Sequence, residues 1–199
     1  MMFAAILGIL CIVTSSFNFA WSQNGHVDLT KPGSQLFDIK EFLNTSKRIW
    51  TYYTTEKTSI ICKVDMMINI SDFSIYFYRS YMGSQKAITE LMEGIFSPGE
   101  KNAMLVSKRD TLSRQSNEVH GTNETLVWAS ASQSCGLFKV EPTTGLNKWY
   151  ELRIKDSETT TRPDNECANY FWKLHERHNT IYKNYCGTIF PPLGQKPIL

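Results

Sequence analysis

The stretch Phe73-Ser74-Ile75-Tyr76-Phe77-Tyr78-Arg79-Ser80-Tyr81 alternates two residue sets: Ile75, Phe77, Arg79 and Tyr81 against Tyr76, Tyr78 and Ser80. Period two, carried by β-branched and aromatic residues, is the pattern of a strand whose two faces meet different surroundings. Upstream, Ile60 to Ile70 is rich in Ile, Val and Met, and Trp50 to Thr58 sets Trp50, Tyr52 and Tyr53 among four threonines. Downstream, Leu126 to Val140 holds two short strand-like runs around Cys135. Pro142 to Gly145 is a turn signal, and Trp149 to Lys155 alternates again. Between residues 82 and 120 the pattern is weak. Residues 87–96 fit helix or strand equally, and Ser97-Pro98-Gly99-Glu100 reads as a turn.

Two segments break the β pattern. Asp38 precedes Ile39, Phe42 and Leu43 at helical spacing, which predicts a short capped helix. Near the end, Cys167, Tyr170, Phe171, Leu174, Ile181, Tyr182 and Tyr185 predict an amphipathic helix of up to five turns, about 164–186. Strands followed by one helix predict a mainly β fold, a barrel with a helix packed outside it.

Met1 to Ser22 has no charged residue, and Phe3 to Val13 is almost wholly apolar. An apolar run of about 11 residues is short of the roughly 20 that span a bilayer. With Ala20-Trp21-Ser22 behind it, this predicts a signal peptide over 1–22, then a polar arm over 23–37 and one domain over 38–199. Of five cysteines, Cys11 leaves with the leader. Cys62, Cys135, Cys167 and Cys186 remain, an even number that predicts two disulfides in an oxidising compartment, with three pairings open. The sequons at Asn44, Asn69 and Asn123 agree with secretion and predict glycosylated surface positions. A net charge of +2 is too balanced for a nucleic-acid surface.

Catalytic patterns fail on spacing. His175-Glu176-Arg177-His178 has one residue between Glu and the second His where a zinc-protease helix needs two. Neither a nucleophile elbow nor a phosphate-cradling glycine loop occurs. The chain therefore reads as a binding protein and not an enzyme, with no cofactor and no metal. Aromatic residues make up 13 % of it. In a small barrel, inward residues at period two can line a cavity, and Trp50, Tyr53, Phe77 and Trp128 are the candidate aromatic walls.

Cys135-Gly136-Leu137, thirteen residues, Glu151-Leu152-Arg153, thirteen more, then Cys167 resembles the signature of tick salivary lipocalins of the histamine-binding family. The resemblance extends to Trp50-Tyr52-Tyr53, to Cys62 with Asp65 after it, and to the Cys167…Cys186 ending. It implies a lipocalin-like, eight-stranded antiparallel barrel with disulfides Cys62–Cys186 and Cys135–Cys167. It also implies a monomer secreted into saliva that sequesters a small host mediator, with no membrane partner. Glu151 matches the family's amine-binding glutamate, and Trp149 shares its strand face. Gly136 stands where amine binders often carry Asp, and Arg153 replaces an aromatic residue. The first expectation is therefore a biogenic amine, histamine or serotonin, held by Glu151 and aromatic rings through charge pairing and cation–π attraction. The alternatives are an acidic lipid such as a leukotriene held by Arg153 or Arg79, or a loop-mediated inhibitor of a host protein.

Overall fold

In the computed structural model, which describes residues 37–84, 86–109, 120–156, 163–174, 177–191 and 194, the alternating stretch forms strand β3 (Ser74–Met82). Its Ile75, Phe77 and Arg79 are buried and Tyr78 is exposed, as period two requires. The predicted signal peptide, the arm up to residue 36 and the His175-Glu176 pair lie outside the described residues. Phe37, assigned to the arm, packs against the domain's core.

The other strands are β1 (Ile49–Thr54), β2 (Ile61–Ile70), β4 (Ala87–Phe96), β5 (Ala103–Lys108), β6 (Gly121–Ala129), β7 (Cys135–Pro142) and β8 (Trp149–Lys155). From β2 to β8 each pairs antiparallel with the next, and β8 pairs with β1. Ile49↔Asp65 and Trp50↔Val64 join β1 to β2 and close an eight-stranded barrel. Closure leaves no long edge with unpaired backbone groups.

Helix α1 (Ile39–Leu43) is capped as its sequence requires, with the Asp38 side chain accepting from the Glu41 N–H. It packs Ile39, Phe42 and Leu43 against Ile75, Phe77, Met104, Leu126 and Phe138. Residues from strands all around the barrel meet there, so this cluster is the interior. The Ile39 N–H donates to Lys101 O, which places α1 at the end formed by the β2–β3 and β4–β5 turns.

A second cluster joins Trp50, Val64, Trp128, Leu137, Leu152 and Ile154 to Phe171 of α2 (Asn165–Leu174). These strand residues alternate with the interior ones, so they form the outer face on which the helix lies. Two disulfides pin this layer, Cys62–Cys186 and Cys135–Cys167.

The long C-terminal helix is a correction. Helix α2 ends at Leu174, Asn179–Thr180 forms the short strand β9 on β1, and a second short helix, α3, covers Cys186–Ile189. Ile181 donates its N–H to Tyr52 O and accepts from Cys62 N–H, both through the backbone. The second half of β1 would otherwise present unpaired donors and acceptors, and that demand outweighs helical spacing.

Candidate functional site

On β8, Leu152 and Ile154 belong to the outer cluster, so Trp149, Glu151 and Arg153 point into the barrel. There they meet Lys63 and Asp65 of β2, Arg79 of β3 and Glu124 of β6. The six charges form an alternating chain. Arg79 grips Asp65 with two bonds (Nε–Oδ1 2.8 Å, Nη2–Oδ2 2.7 Å) and reaches Glu124 Oε1 with Nη1 at 2.9 Å. Arg153 donates from Nη1 to Glu124 Oε2 at 2.5 Å, and from Nη2 and Nε to Glu151 Oε2 at 2.7 and 2.9 Å. Glu151 Oε1 accepts from Lys63 Nζ at 2.6 Å and from the Trp149 indole N–H at 2.9 Å. Formal charges cancel.

Burial pushes the Glu124 carboxyl up, but Arg153 and Arg79 more than offset it and bring it down to about 2. Glu151 is likewise pushed up by burial and pulled further down, by Lys63 and Arg153, to well below the carboxylate range. Both acids are therefore ionised in an interior where an unpaired charge would be very costly. Phe138 lies 4.3 Å under the Arg153 guanidinium and Phe77 5.2 Å under that of Arg79. Beyond the network, toward α1, a cavity of about 10 Å³ touches Asp65 among Ile49, Met67, Ile75, Phe77 and Met104. That is room for about one water.

Of the residues expected at a ligand site, Glu151, Trp149, Arg153, Arg79 and Phe77 meet inside the barrel. Trp50, Tyr53 and Trp128 do not. Trp50 meets Tyr182 edge-on at 5.2 Å, Tyr53 stacks on Phe171 at 5.4 Å, and Trp128 lies flat on Tyr170 at 4.2 Å, all in the outer layer. The cause is register. Ile49 and Thr51 take the inner face of β1, and bulges between Thr51 and Tyr53 and between Leu126 and Trp128 shift the alternation.

Sequence reasoning missed Lys63 and Glu124, and gave Asp65 no site role. The Glu124 signal was legible: it is the middle residue of the Asn123 sequon, so an outward Asn123 on a strand sends Glu124 inward. Asn123 is indeed exposed, as are Asn44 and Asn69.

Fold and site together define a class: a closed, disulfide-stapled antiparallel barrel with a neutralised charge chain in its interior. No protein-family description matches the chain. No curated protein sequence matches it. Among solved structures it is similar to lobster apocrustacyanin A1 (6 % identity, TM-score 0.49, 70 % of this chain and 77 % of that one). Apocrustacyanin C2 stands at 7 %, 0.49 and the same coverage. A bovine odorant-binding protein variant stands at 12 %, 0.44, 64 % and 82 %.

Proposed function

We propose that the protein is a secreted, lipocalin-like binder that sequesters a small cationic amine at the barrel end opposite α1, with Glu151 as the ammonium acceptor and Trp149 beside it. The observation that carries this is the charge chain itself. Apolar residues of similar volume would serve stability as well or better, so a buried carboxylate served by a lysine and an indole N–H fits a recognition role. The amine is favoured over an acidic lipid because each arginine is already held by two carboxylates. A lipid carboxylate would have to break paired, bidentate bonds. Secretion is supported by the apolar leader, the two disulfides and the exposed sequon asparagines. Capture of a host mediator by a salivary protein follows from the resemblance to tick lipocalins.

Calorimetric titration with histamine, serotonin and leukotriene B4 tests the reading. Heat is expected with an amine and none with the leukotriene. Glu151→Gln should weaken amine binding about a hundredfold or more while the folded far-UV spectrum persists, since a charge-assisted bond becomes a neutral one. Equal affinity in that variant would remove Glu151 from the site.

A further inference from the structure

The six charges are not equally committed. Each arginine is fixed by a planar fork between two carboxylates, and Asp65, Glu124 and Glu151 each lie near two cations. Lys63 stands at the end of the chain. Among the described residues it makes a single ion pair, through one point-charge ammonium on a flexible stem. Its side chain keeps 13 % exposure against 1 % for Glu151. Lys63 is the third residue of β2 and Trp149 the first of β8, so both lie toward the barrel end opposite α1.

We propose that Lys63 is a tethered occupant of the amine site: its ammonium holds the place of the ligand's ammonium on Glu151 Oε1 and leaves when a ligand enters. This rests on the amine reading of the barrel. An ammonium that replaces Lys63 finds the same carboxylate oxygen, which the Trp149 indole N–H goes on holding in place as a second donor. Exchanging one ammonium for another also keeps the three buried carboxylates matched by three cations.

A neutral or anionic ligand offers no such exchange, and Lys63 thereby selects for cations. Glu56, half-buried just after β1, is pushed up by burial, pulled down by the field of Lys63 and pushed up again by that of Glu151, so both groups act on it. Because Lys63 is tethered, it competes as an intramolecular ligand, at an effective concentration of order millimolar or above.

The test uses the full disulfide-bonded chain with histamine and tryptamine as probes. Lys63→Met and Lys63→Gln should bind about ten- to a hundredfold more tightly than the parent, the span of one charge-assisted bond. A readout without substitution runs beside it: the Lys63 ε-methylene resonance in lysine-labelled parent protein, assigned by its loss in Lys63→Gln, should shift as histamine is added. Should either variant misfold, the other and the resonance decide. Parent binding with equal or weaker binding by the variants and an unmoved resonance overturns the proposal and leaves the amine reading intact. Binding by the variants with a silent parent supports it, because Lys63 then outcompetes the ligand. No heat from parent or variants overturns both.

Discussion

At position 136 a Cβ would lie 2.8 Å from Leu126 Cδ1 and 3.0 and 3.1 Å from two ring carbons of Phe42. Leu126 and Phe42 are themselves fully buried. Glycine here is a matter of space, and α1 uses that space: the Phe42 ring lies against the backbone where the resemblance leads one to look for an aspartate. Gly136→Ala should therefore cost about 1–3 kcal/mol by overpacking, and Phe42→Ala about 3–5 kcal/mol by opening a cavity. The double variant should cost clearly less than their sum, because removing the ring makes room for the methyl group. Thermal melts of the four proteins measure this. Strict additivity would show that the two positions do not share the space.

At the level of elements, the structure separates an inner layer that carries charge from an outer layer that carries α2. Phe171 is fully buried in the outer layer, stacked on Tyr53 and edge-on to His178, while the charge chain lies on the inner faces of the strands. Phe171→Ala should thus lower stability by about 3–5 kcal/mol while leaving amine affinity within about twofold, since distant sites are independent. A matching loss of affinity would mean that the layers are coupled.

The same two layers explain what could be read in advance. Strands β3 and β8 declare themselves because their faces differ chemically. Strand β5 does not: Ala103-Met104-Leu105-Val106 is apolar at every position, with no alternation to see. Ile181 and Tyr182 happen to fall at helical spacing from Leu174, but the edge of β1 claims them. Tyr53 and Trp128 could be placed on strands but not on a face, because a bulge precedes each and reverses the face of the residues beyond it. Glu151, Arg153 and Arg79 could be placed on strands from sequence. Alternation also sets Glu151 and Arg153 on one face, but the link from Arg153 to Arg79 could not be read, since it runs through Glu124 on a third strand.

For the whole molecule, folding brings three carboxylates and three cations out of water together, and acid should undo this. Glu124 has a folded value of about 2 against an ordinary 4.5, and Glu151 is lowered further. With folded values depressed, the unfolded chain binds protons first as pH falls. Their contribution is thus present in full above about 4.5 and is lost as pH falls toward 2. For Glu124 alone the shift corresponds to about 3 kcal/mol. Urea midpoints should hold near neutral pH and fall steeply between pH 4.5 and 2. Glu124→Gln, which leaves Arg79 and Arg153 facing each other without their shared carboxylate, should cost about 3–5 kcal/mol at pH 7 and flatten that acid limb. An unchanged limb in the variant would mean that Glu124 is not ionised in the folded barrel. A bound amine should be released only as the barrel unfolds, because the Glu151 carboxyl lies lower than that of Glu124 and keeps its charge in the folded state. Capture and barrel stability should therefore be lost over the same acid range.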